Sequence, residues 1–202
     1  MTPATDRLAT WALEAVPRRL WGFPPRLMPV IVQRLGPVRA GAWFAWNMPR
    51  YERTLKAFGG VRTHLLCTTI SLINGCRYCT AGHAYALQLI YLRERGRLFP
   101  LDDDAISQLD GLDRAELQAR LASALAAAGL GEEVPWVERL FDLIAEQRRP
   151  ADGDDARIAH LVRMFAVLNA CGIAGSVGPD QAHDPVNRDA ALRERYRQLR
   201  TT

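Results

Sequence analysis

Helical periodicity runs through this chain almost without a break, and it narrows the available folds more than any other feature. Apolar residues recur at three- and four-residue spacing, and no segment alternates apolar and polar positions long enough, between turn signals, to mark a strand. The expectation is an all-α chain, a compact helical bundle of about eight to ten helices. Residues 5–16 read as a short amphipathic helix. Pro24-Pro25 opens a second, running to about Leu35, because proline suits a first helical turn. A third starts near Pro37, with Pro49 as a potential interruption, and Gly59-Gly60 closes it. Residues 61–74, VRTHLLCTTISLIN, are apolar on several sides, which places their helix at the centre. After Gly75, a helix from Cys76 to about Arg95 stops at Gly96, with arginines in its last turn favouring the helix dipole. Residues 103–109, the run RAELQARLASALAAAG ending at Gly129, residues 132–147, Ala156 to Gly175 and Asn187 to Arg200 complete the set. Aspartates stand ready to cap several of them.

The chain has 202 residues, 49% hydrophobic and 24% charged, enough apolar material for one packed domain over 1–202. No run reaches the roughly 18 uninterrupted apolar residues of a membrane span; the best, Leu161 to Val177, is broken by Arg163 and Asn169. The first twenty residues place an acid and an arginine before any apolar run, so a cytoplasmic protein without a membrane partner is expected. The formal charge is +4, but the arginines from Arg7 to Arg200 are interleaved with acids, which describes a solvated surface better than a nucleic-acid footprint. Four cysteines are too few for a disulfide-stapled scaffold; in a reducing compartment, a close pair points to metal or redox chemistry.

That pair lies in NGCRYCTAGHAYAL, residues 74–87. At roughly 100° per residue, Cys76, Cys79 and His83 fall within about 60° on one helix face. If Gly75 marks the helix start, both cysteines occupy a first turn, where free N–H groups and the positive dipole end stabilise a thiolate. A thiol of pKa about 8.5 is only about 3% ionised at pH 7; lowering it two units takes about 2.7 kcal/mol and makes it roughly three-quarters thiolate. His83, at i+4 from Cys79, can serve as its proton acceptor or charge partner, and Cys76 can resolve what forms on Cys79 by closing a disulfide. Two other readings stay open. His64 or Cys67 could join Cys76, Cys79 and His83 around zinc, giving a non-enzymatic zinc-binding or oxidant-sensing protein, or the cysteines are inert core.

C-x-x-C-x-x-x-H on a helix, after an apolar helix and an Asn-Gly pair, resembles the alkylhydroperoxidase D-like branch of the carboxymuconolactone decarboxylase family. The resemblance covers residues 60–95, the redox motif core; FAVLNACGIAGSVG fits the closing helix of such domains more loosely, and residues 1–55 have no counterpart. It implies an all-α homo-oligomer with a catalytic disulfide, no bound cofactor or metal, and peroxidase-type thiol oxidoreductase activity. Its partners would be a peroxide or disulfide substrate, a protein thiol donor such as a lipoyl-bearing protein, and a peroxiredoxin. Carried over by position, Cys79 is the attacking thiolate, Cys76 the resolving cysteine and His83 part of the proton relay. The family commonly places a glutamate twelve positions before the first cysteine, where this chain has His64. A neutral imidazole can pass a proton, yet it supplies no negative charge. Either His64 substitutes with altered pH dependence, or the disulfide centre persists without the peroxidase relay. Lactone decarboxylase chemistry is set aside, since that branch does not depend on a CxxC pair.

Other residues invite plainer readings. Cys67 and Cys171 suit the core, His160 a helix end or an interface, and the five tryptophans packing or subunit contact. His183, in DQAHDP, falls on a loop with no partner evident from sequence. Glu52 has no local support as a replacement carboxylate.

Overall fold

The computed structural model describes residues 3–146 and 149–201. These residues form ten α-helices and no strand: α1 (Pro3–Trp21), α2 (Leu27–Leu35), α3 (Pro37–Phe58), α4 (Gly60–Ile73), α5 (Arg77–Arg95), α6 (Asp103–Ser107), α7 (Arg114–Ala128), α8 (Val134–Ile144), α9 (Gly153–Ala174) and α10 (Ala190–Arg200). Single 3-10 turns at Gly131–Glu133 and Pro185–Arg188 lead into α8 and α10. Side-chain carboxylates of Asp102, Asp113, Asp152 and Asp189 accept the first free N–H groups of α6, α7, α9 and α10.

The central helix is α4. Every residue from Thr63 to Leu72 is buried, so no polar face survives and its polar side chains turn inward or onto their own backbone. Thr69 and Ser71 hydroxyls donate to the carbonyls of Leu65 and Cys67. Around α4 and α5 the apolar side chains sort into three clusters. One joins Leu66, Cys67 and Ile70 to α2 and α9; a second joins Leu65, Leu72 and Tyr91 to α7 and α8; the third sets Leu89 and Ile90 against Val186 and Tyr196. α5 contributes to all three, which explains why it is buried almost end to end.

Several boundaries differ from the sequence expectation. α1 runs five residues past 16, through Pro17, to Trp21. α2 opens at Leu27, two residues after the proline pair. α3 continues through Pro49 unbroken; the carbonyl that proline leaves without a donor belongs to Ala45, which is exposed, so water can take it. α9 begins at Gly153, earlier than expected, because Asp152 caps it with bonds to two N–H groups. The expected end of the eighth helix at residue 147 lies outside the described residues. α9 is long and apolar enough to cross a membrane by length and composition, and here it packs against α2, α3, α4, α5 and α8.

Candidate functional site

One residue both closes α4 and opens α5. Gly75 takes φ +71°, a left-handed conformation that favours glycine. Its N–H bonds the Leu72 carbonyl at 3.0 Å, and the next N–H, of Cys76, bonds the Ser71 carbonyl at 2.9 Å. These two bonds make a complete Schellman termination of α4. Cys76 then stands as N-cap of α5, with Cys79 in the first turn. The short Asn-Gly link thus sets the direction of both thiols.

Both cysteines are buried and unpaired as free thiols. Their environments differ. The Cys76 thiol is lowered to about 7, first by the hydrogen bond from the Cys79 thiol, against the opposing effect of burial, and then by the Cys79 N–H, the Asn169 amide and the Tyr78 N–H. No N–H makes a capping bond of regular geometry to the sulfur, so the first-turn effect is largely electrostatic. Cys79 moves the other way: as donor to Cys76 it is held protonated, and burial adds to the shift. Asn169, on α9, is fixed by Asn74 Nδ2 donating to its Oδ1 at 2.8 Å and by its own Nδ2 donating to Ser71 Oγ at 3.2 Å.

The histidines form a chain. Asp184 Oδ2 lies 3.0 Å from His64 Nε2, and His64 Nδ1 lies 2.9 Å from His83 Nδ1. Burial pushes the Asp184 carboxyl up, but the bond and charge of His64, the Val186 N–H and Arg93 bring it below its usual value. An ionised Asp184 accepts from His64 Nε2–H. With that N–H given to Asp184, His64 Nδ1 is the acceptor of the 2.9 Å bond when His83 donates from Nδ1, an arrangement that keeps a basic lone pair on His83 Nε2. Burial first, then the neighbouring His64 and His183, hold His83 well below the usual histidine value and therefore neutral.

A second carboxylate–histidine pair adjoins the first. Asp180 Oδ1 lies 2.9 Å from His183 Nε2, and Tyr78 OH donates to Asp180 Oδ2 at 2.8 Å. The His183 ring lies between Trp21 and Tyr78, with centroids at 5.6 and 4.9 Å, and meets His83 edge-on at 5.3 Å. The His183 main-chain N–H bonds the Gly82 carbonyl at 3.1 Å, tying the 180–184 loop to α5.

Of the four site residues expected from sequence, His64 and His83 are in direct contact, while Cys76 and Cys79 share the start of the His83 helix. His183, for which no partner is evident from sequence, pairs with Asp180. Sequence reading also missed Asp184, Asp180, Tyr78 and Asn169. The carboxylate on His64 is Asp184; Glu52 is exposed on α3, where burial and Asp184 raise its carboxyl. Cys67 is buried and its thiol pushed up by burial, while Cys171 is likewise buried. His160 bonds Asn47 across to α3. Trp11 and Trp46 are not packed: both are exposed. Among the described residues, no group of three or more His, Cys, Asp and Glu side chains is arranged to hold a metal ion.

Comparison with protein-family models, with curated proteins and with solved structures finds no match.

Proposed function

We propose that this protein is a thiol oxidoreductase cycling between a Cys76/Cys79 dithiol and disulfide, with peroxide or a partner disulfide as oxidant. The observation that carries the reading is the placement of the thiols: Cys76 caps α5 and Cys79 stands in its first turn, at the positive end of the helix dipole, with neutral His83 one turn further on. The N-cap position of Cys76, with the Asn169 amide beside its sulfur, favours it as the attacking thiolate, the reverse of the roles that the alkylhydroperoxidase D-like resemblance implies.

The steps balance. Cys76 thiolate attacks the terminal oxygen of a hydroperoxide, the O–O bond breaks, and the alkoxide leaves with a proton, giving an alcohol and Cys76 sulfenic acid. Cys79 gives its proton toward His83 Nε2 and attacks the Cys76 sulfur; the S–O bond breaks, the departing hydroxide takes that proton from His83 to leave as water, and the disulfide closes. Asp184, through His64, stabilises the positive charge that arrives on His83. This answers the loss of the relay glutamate: the negative charge comes through His64 rather than from its position. A dithiol donor, of the lipoyl kind or on a protein, returns the centre to its reduced form, and a homo-oligomer is the assembly the resemblance favours.

The test is peptide mapping and intact mass after one equivalent of peroxide, with sulfenic acid trapping in the single serine variants. A fast loss of two hydrogens mapping to Cys76 and Cys79, and faster trapping on Cys76 in Cys79→Ser than on Cys79 in Cys76→Ser, is expected. Thiols that stay reduced would end the redox reading. Faster trapping on Cys79 would restore the roles carried over from the family.

A further inference from the structure

α3 and α9 part around a cleft of about 670 Å³, and none of Cys76, Cys79, His64, His83, Asp180 and Asp184 lines it. Arg50 and Arg53 line it from α3, Arg157 and Arg163 from α9, with Trp43 and Trp46 beside them. Neighbouring acids are committed elsewhere. Asp154 pairs with Arg157 at 3.0 Å, and Asp152 and Asp155 both hold Arg139. Arg50 donates only to the Trp46 carbonyl, at 2.6 Å, and lies 3.6 Å over that indole; Arg53 donates to the Pro49 carbonyl at 3.1 Å. Among the described residues, no carboxylate pairs with Arg50, Arg53 or Arg163. Each guanidinium offers five N–H donors, so most of this donor capacity is unused.

The walls are held in place. Asn47 Nδ2 donates to the Trp43 carbonyl at 2.8 Å, which turns its Oδ1 toward His160 Nε2 at 3.1 Å and so bridges α3 to α9. The electrostatic state of the cleft is visible at the same histidine: after burial, Arg163, Arg50 and Arg53 are what disfavour its protonated form. Like charges gathered without counter-charge repel one another, and an anion seated between them removes that repulsion.

We propose that this cleft is a binding site for a small phosphate-bearing ligand, its phosphate oxygens taken by Arg50, Arg53 and Arg163 and its organic part resting against Trp43 and Trp46. The guanidinium fork matches phosphate oxygens in pairs, and indoles take an apolar or planar group at little entropic cost. The volume is that of a small-molecule site. A polymer is disfavoured because the remaining arginines are interleaved with acids and lay no basic track away from the cleft.

Calorimetric titration with inorganic pyrophosphate at constant ionic strength tests this, and it is blind to the redox reading because no cysteine lines the cleft. One saturable site per chain is expected. Arg50→Gln and Arg163→Gln, one on each wall, should each weaken it about tenfold or more, whereas Arg120→Gln on α7 leaves it unchanged. Melting curves accompany each variant; should Arg50→Gln lose its fold, Arg163→Gln carries the test, since the Arg163 side chain bonds nothing within the described chain. Absence of saturable heat with the unaltered protein, equal weakening by Arg120→Gln, or displacement of pyrophosphate by single-stranded oligonucleotides with affinity growing with their length would each overturn the proposal.

Discussion

Replacing Gly82 by alanine tests how the 180–184 loop is held. An added Cβ at Gly82 would lie closer than 3.0 Å to three atoms of the His183 imidazole. The ring has nowhere to slide: Trp21, Tyr78 and His83 lie against it, and the backbone that carries it is tied to α5 by the His183 main-chain N–H on the Gly82 carbonyl. It must therefore leave, giving up the bond to Asp180. Overpacking of this kind costs about 1–3 kcal/mol, and a lost hydrogen bond to a charged group about 1.5–3 kcal/mol. Alanine returns about 1 kcal/mol through its higher helix propensity. The net loss is about 1.5–5 kcal/mol. For 202 residues, at about 2.1 cal/mol/K each, the unfolding entropy is about 0.42 kcal/mol/K, so Tm should fall by about 4–12 °C in a thermal melt. The same substitution made in a His183→Ala background meets no ring and should cost nothing, a double-mutant cycle that isolates the clash. A Gly82→Ala protein melting at or above the unaltered protein would show that the ring is not held against α5, and the placement of Asp184 beside His64 would lose its support.

Alkylation of Cys76 should rise with pH through a midpoint of about 7 and level off above it, as mass spectrometry of labelled peptides at graded pH would show; a midpoint near the free-thiol value would refute the thiolate. Asp184 has a depressed folded-state pKa, so its contribution is complete above the unfolded value of about 3.9 and is lost as pH falls through the folded value. Asp184→Asn should accordingly lower Tm at pH 7, with the gap to the unaltered protein closing in acid; a pH-independent gap would count against an ionised Asp184 on His64. Asp155 is fully buried, pairs with Arg139 and accepts the Ala151 N–H at 2.9 Å. Asp155→Ala should cost about 1–3 kcal/mol in denaturant unfolding, because the Ala151 N–H loses its acceptor while Arg139 keeps Asp152.

The helices were legible in the sequence because their apolar spacing and their glycine and aspartate punctuation act locally. The common face of Cys76, Cys79 and His83 follows from the same period. Pro49 misleads because its effect depends on whether the carbonyl one turn earlier meets water, which is a matter of burial. Asp184 was invisible for another reason: it reaches His64 across 120 positions, and no local pattern encodes that approach. Its only trace is DQAHDP, where two carboxylates and a histidine crowd into five residues beside a proline. Asn169 is similar, an amide in an apolar helix whose purpose depends on what packs opposite.

The division of the site between two adjoining helices and a loop about a hundred residues further along has a consequence for how the protein comes into being. While the chain is being synthesised, Cys76, Cys79, His64 and His83 emerge well before the residues from Asp180 to Asp184. Through that interval, His64 lacks its carboxylate and α5 lacks the loop that covers it. The nascent chain can carry both thiols and both histidines before the residues from Asp180 to Asp184 have been added to it.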